Sequence, residues 1–202
     1  MIEGDIGYMR VAQMYDGAAR DAHAALQELT GQGAKELVLD LRNCPGGLPE
    51  EMVDIGSLFL PSGTLMLRTS SRVAAYQSTY EADTRERIPT LLAMPLMVIV
   101  SRGTFGLCEA LAASLQDHQR ARVIGATTHG WGVMQMVLPL ADGSGLRLSV
   151  AEYHRPSGAT LNDAGVQPDV PADPSSDDII RRAADELRNA AQSMTTHHQE
   201  IR

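Results

Sequence analysis

The chain has 202 residues, of which 44% are hydrophobic, with a formal net charge of −8 and a pI near 5.2. That length and apolar content suffice for one compact domain with its own core. The acidic balance, with Lys and Arg scattered along the chain, argues against a nucleic-acid partner or an anionic-membrane surface, because neither Coulomb steering nor counterion release would favour one.

In chain order, Asp5 to Val11 alternates in strand fashion, and Gly17 to Leu29 places Ala18, Ala22, Ala25, Leu26 and Leu29 at helical spacing. Glu36 to Arg42 is a short, almost continuously apolar run of the kind that fills a sheet covered on both faces. Together these predict a β-α-β unit. A turn over Asn43-Cys-Pro-Gly-Gly47 leads to a helix from Pro49 to Leu58, then to strands over Thr64–Thr69 and Ser71–Gln77. The polar segment from Ser78 to Pro89 reads as a surface loop. Pro95 to Ser101 is a second buried strand, and Phe105 to Gln116 a helix with Leu107, Leu111 and Leu115 on one face. Arg122–Gly125, Gly132–Leu140 and Gly145–Tyr153 read as strands, the last two joined by the Asp-Gly turn Ala141 to Ser144. Prolines punctuate a linker from Pro168 to Pro174. Ser175 or Ser176 can cap a final helix with Asp177 and Asp178 in its first turn. The tail from Thr195 to Arg202 has little to bury and is expected to fray. This divides the chain into a core domain, 1–172, and a C-terminal helix with its tail, 173–202.

The first residues carry acids and no basic-then-apolar leader pattern, and no run reaches the roughly 18 apolar residues of a membrane span. A cytoplasmic protein with no membrane partner is expected. Cys44 and Cys108 are far apart in sequence and have no metal-ligand spacing, so each reads as a small buried hydrophobe rather than as part of a disulfide framework. No metal and no cofactor are expected.

Three stretches in order, Leu39-Asp-Leu-Arg-Asn-Cys-Pro-Gly-Gly47, Gly103 to His118 and Gly125-Ala-Thr-Thr-His-Gly-Trp-Gly-Val-Met-Gln135, resemble the tail-specific, or carboxy-terminal processing, serine protease family. A fourth, Tyr153 to Gly158 through Gly165 to Val170, matches the end of that family's catalytic domain. The resemblance implies an α/β fold of the ClpP/crotonase kind, a core of stacked β-β-α units. It also implies a PDZ domain and an N-terminal region in the family's proteases, for which this chain leaves no length. Family members read roughly G-S-A-S-A-S-E at the strand-to-helix turn, the middle Ser being the nucleophile, and roughly T-F-G-K-G-S-V-Q further on, the Lys being the general base. On this sequence those two positions are Gly106 and Trp131.

Glycine has no side chain, and indole neither accepts a proton at neutral pH nor carries charge, so a Ser/Lys dyad is absent on this alignment. Other parts of the frame remain: Gln135, matching the glutamine that orients the lysine, and the Gly46-Gly47 turn and Leu107 amide, which would supply an oxyanion hole. The glycines also fit a folding requirement for positive φ, and Gln135 fits a bond to backbone. Cys108, near a helix N-terminus, and His129 form a substitute nucleophile and base, but Cys108 points about 200° away from position 106 at roughly 100° per residue. Ser101 and Thr104 are nearby hydroxyls with no visible activator.

Three functions fit. The first is a repurposed protease fold whose cleft binds, or binds and converts, a hydrophobic or peptide-like small molecule, with Gly46, Gly47, Gly106, Leu107, Trp131 and His154 lining it and His129 and Gln135 as polar catalytic candidates. The second is a pseudoprotease holding peptide tails or pairing with an active relative. The third is an active peptidase using Cys108 and His129. Homo-oligomerisation is open in all three.

Overall fold

The computed structural model describes residues 1–2, 4–83 and 88–199, with side chains as far as Asn189. In chain order its elements are β1 (Ile6–Arg10), α1 (Ala18–Gly31), β2 (Glu36–Asp40), α2 (Pro49–Ser57), β3 (Leu65–Ser70), β4 (Ser78–Glu81), β5 (Leu96–Val100), α3 (Leu107–Asp117), β6 (Arg122–Gly125), β7 (Val133–Pro139), β8 (Gly145–His154), β9 (Val170–Pro171) and α4 (Ile179–Gln199). Five strands form a parallel sheet in the order β1-β2-β5-β6-β9, and four form an antiparallel sheet in the order β4-β3-β8-β7.

The side-chain alternation of the parallel strands assigns each face its cover. Leu37, Leu39, Val98, Val100 and Val123 pack in one cluster with Ala22 and Leu26 of α1, Met52 and Ile55 of α2, and Leu111 and Leu115 of α3. Their neighbours Val38, Met97, Ile99 and Ile124 point the other way, into a second cluster with Ile179, Ala183, Ala184 and Leu187 of α4. A strand buried on both faces must be apolar at every position, which is why β2 and β5 read as continuous runs. Because the strands follow one another steadily across the sheet, right-handed crossovers place α1, α2 and α3 on the same side. The result is the mixed α/β architecture expected of a ClpP/crotonase-like core.

Several elements differ from the sequence reading. The run 71–77 is not a strand: it holds a 3-10 turn over Ala74–Tyr76, and the strand follows it as β4, inside the expected loop. Thr69 sets this turn, its Oγ1 donating to the Tyr76 carbonyl at 2.7 Å and accepting from the Ser78 amide at 2.7 Å. Being an exposed edge strand, β4 carries no apolar alternation to reveal it. Residues 84–87 of that loop lie outside the described residues. β9 lies in the proline-punctuated linker, a two-residue edge strand on β6, where a proline without an N–H is tolerated. The last helix starts at Ile179, and its backbone runs to Gln199, beyond the point where fraying was expected. Its buried face covers the sheet, so α4 completes the core.

The far end of α3 is fastened as well. Arg155 holds Asp117 through two nitrogens, with Nη2 at 2.6 Å from Oδ1 and Nε at 2.9 Å from Oδ2, and the Ser157 amide donates to Oδ2 at 3.0 Å.

Candidate functional site

Strands β2 and β5 are parallel neighbours, Asp40 facing Ile99, so the turns that follow them lie side by side at the carboxyl end of the sheet. They are laced together. The Phe105 amide donates to the Cys44 carbonyl at 2.9 Å, the Thr104 hydroxyl donates to the Leu41 carbonyl at 2.8 Å, and Ser101 Oγ accepts from the amides of Asn43 and Gly103, each at 3.2 Å. Thr104 and Ser101 are therefore structural hydroxyls.

The same adjacency corrects the reading of the cysteines. Cys44 and Cys108, 64 residues apart in sequence, have Cα atoms 6.1 Å apart and are joined by a disulfide. Spacing alone gave no sign of it, because the pairing depends on β2 and β5 being neighbours. A bonded, fully buried sulfur is not a thiolate, so Cys108 is unavailable as the nucleophile of the Cys108/His129 pair.

Gly106 caps α3 with φ 55° and ψ −118°. An L-residue there is strained, yet a Cβ built on Gly106 meets no atom within 4 Å. The backbone thus holds the sharp strand-to-helix elbow that presents a side chain at the head of a helix, with glycine in the presenting position. Next to it, Leu107 carries the first helical amide, which has no acceptor among the described residues. A Cβ on Gly46 would lie 3.1 Å from the Leu107 nitrogen and one on Gly47 only 2.0 Å from the Met14 carbonyl oxygen, so this approach of chains requires glycine at both positions.

Glu109, three residues into the elbow and fully buried, organises the site. Its Oε2 accepts from the Gly106 amide at 2.8 Å and the Trp131 amide at 2.9 Å. Its Oε1 accepts from the Gly130 amide at 2.6 Å and from the Thr128 hydroxyl. Four donors satisfy a carboxylate that also lies favourably at a helix N-terminus. Sequence reasoning passed over Glu109; the available signal was an acid three residues after a helix start, the acidic half of a capping box.

Trp131 is half-buried and stacks on Phe105, ring centroids 5.1 Å apart and planes 21° from parallel. The exposed His129 ring lies 4.6 Å from Phe105 and 6.3 Å from Trp131. Phe105, beside the elbow, was not singled out in sequence, where it looked like an ordinary helix-start residue. Gln135, on β7, donates from Nε2 to Ser149 Oγ at 3.2 Å, while its Oε1 is buried with no partner among the described residues. The polar neighbours of His154 lie away from the elbow: its ring is 3.3 Å from the Gly158 carbonyl and 4.0 Å from Glu152. Gly46, Gly106, Leu107, Trp131 and His129 are brought together around the elbow. Among the described residues no cluster of His, Cys, Asp or Glu could hold a metal ion, and no helix is long and apolar enough to cross a membrane.

The sequence profile of peptidase family S41 matches residues 5–172. The carboxyl-terminal-processing protease of Synechocystis sp. is 37% identical over 164 residues, covering 81% of this chain and 37% of that protein. The chloroplastic C-terminal processing peptidase of Tetradesmus obliquus is 39% identical over 169 residues, covering 84% of this chain and 35% of that protein. Among solved structures, the photosystem II D1 C-terminal processing protease superposes with a TM-score of 0.75 at 36% identity, covering 84% of this chain and 43% of that one. The chain thus spans well under half the length of these relatives.

Proposed function

The chain belongs to peptidase family S41, and from that premise we propose that its cleft binds a hydrophobic or peptide-like small molecule in place of carrying out Ser/Lys proteolysis. The observation that carries this reading is the pair of residues around Glu109. Gly106 occupies the elbow with open space where a nucleophile's side chain would stand, and Trp131 presents an indole stacked on Phe105 where the lysine would stand. The orphaned Gln135 Oε1 supports it, since a lysine ammonium would have given that oxygen a donor.

In this reading the free Leu107 amide, at the positive end of α3, binds a carbonyl oxygen of the ligand. The Phe105–Trp131 stack supplies an apolar wall, and His129 supplies a polar edge. The disulfide favours an oxidising compartment over the cytoplasm expected from the N-terminal residues.

Trp131 is the only tryptophan, so its emission reports on the cleft alone. Titration with the apolar probe 1-anilinonaphthalene-8-sulfonate should quench Trp131. Phe105→Ala should weaken that quenching, by about 1 kcal/mol of binding for loss of an aromatic contact. Unchanged Trp131 emission at saturating probe would remove the cleft from the binding surface. The second reading, a pseudoprotease holding peptide tails, predicts instead that the apolar probe is inert while an unstructured peptide shifts the emission.

A further inference from the structure

A cavity of roughly 500 Å³ opens at the carboxyl ends of the parallel strands and is lined by Arg10, Arg42, Asn43, Ser101, Arg102 and Ser175 among others. The carboxyl edge of a parallel α/β sheet is where such folds commonly take ligands. No Asp or Glu lines this cavity, in a chain whose net charge is −8.

The three guanidinium groups differ in what they have left to give. Arg42 is spoken for: its Nη2 lies 2.6 Å from Oδ2 of the fully buried Asp40, its Nε bonds the same carboxylate at 3.0 Å, and its Nη1 donates to the Pro174 carbonyl at 2.9 Å. Asp40 therefore offsets the charge of Arg42. Arg10 and Arg102 are solvent-exposed, and among the described residues neither has an acidic partner, so both guanidinium groups keep their donors for an occupant of the cavity.

We propose that this cavity is a phosphate site that takes the dianionic group of a phosphate monoester. Two uncompensated guanidinium groups match a dianion better than a monoanionic carboxylate, and guanidinium forks suit phosphate oxygens. The volume exceeds that of the phosphate alone and leaves room for the organic part of the ester. The site shares Asn43, Ser101 and Gly103 with the two turns laced beneath the Gly106 elbow. An occupant therefore touches the same turns, and the inference does not depend on what the elbow binds.

The test is calorimetric titration of the full chain with glycerol 3-phosphate at pH 8, where the monoester is dianionic, against sodium chloride at matched ionic strength. Saturable binding is expected with the ester and not with chloride. Arg10→Gln and Arg102→Gln should each weaken it by about tenfold or more. Both side chains are exposed, so unchanged circular dichroism and melting temperature will establish that the variants are folded. Absence of saturable heat, or equal affinity in the folded variants, would overturn the proposal. A parallel arm uses vesicles of phosphatidylcholine with phosphatidic acid. No cosedimentation is expected, because an acidic protein is repelled by an anionic surface; cosedimentation lost in the Arg variants would overturn the assignment to a free ester in favour of a lipid headgroup.

Discussion

The amides of Gly106 and Trp131 donate to the same oxygen of Glu109, at 2.8 and 2.9 Å. One buried carboxylate therefore fixes the distance between the elbow at the head of α3 and the loop that precedes β7. Any chemistry or binding between these two segments has its geometry set by Glu109.

Replacing Glu109 with Gln keeps the size but turns one acceptor into a donor, aimed at amides that themselves donate. Buried donors left without acceptors cost about 1 to 3 kcal/mol each, more where a charge was the partner. Glu109→Gln should therefore lower unfolding free energy by about 2 to 4 kcal/mol in a urea titration and broaden the response of Trp131 emission to acrylamide. A loss below about 0.5 kcal/mol would show that the two segments are held by other contacts.

The Asp117–Arg155 clamp gives stability a pH dependence. Burial raises the Asp117 pKa, but the hydrogen bond from Arg155, with help from Ser157, outweighs it and leaves the group below its ordinary value of 3.8. A carboxylate held down in the folded state stabilises at pH above its unfolded pKa, and that contribution is lost as pH falls through the folded value. Asp117→Asn should cost about 1 to 2 kcal/mol at pH 7, a figure reduced for partial exposure of the pair. The difference from wild type should shrink below about pH 4. A difference that stays constant from pH 7 down to pH 3 would contradict this.

The Cys44–Cys108 disulfide closes a loop with a sequence separation of 64 residues. Chain-entropy reasoning gives such a cross-link about 4 kcal/mol, so the Cys44→Ala, Cys108→Ala double variant should unfold at clearly lower urea concentration. Before reduction neither cysteine should react with iodoacetamide in the unfolded chain. Alkylation of both without reductant would mean that the sulfurs are free.

The sheet was legible because its strands are buried on both faces: Leu37 to Leu39 and Leu96 to Val100 cannot be mistaken for amphipathic elements. The elbow was legible too, from glycines and the family strings that surround Gly106. What could not be read was anything made by tertiary adjacency. Glu109 bonds across 21 and 22 residues to Gly130 and Trp131, and Cys44 meets Cys108 only because β2 lies beside β5. The Phe105–Trp131 stack is of the same kind. β4 and β9 escaped for a different reason, since edge strands bury too little to carry a periodic apolar signal.

The proposed binding role requires that Gly106 and Trp131 stand where the family's nucleophile and base would stand, and the most direct measurement is hydrolysis of β-casein by the purified protein, with and without dithiothreitol. No peptide release above the protein-free blank is expected in either condition. Peptide release that appears with dithiothreitol and vanishes in Cys108→Ala would contradict that role, because it would make Cys108 a working nucleophile once its bond to Cys44 is opened.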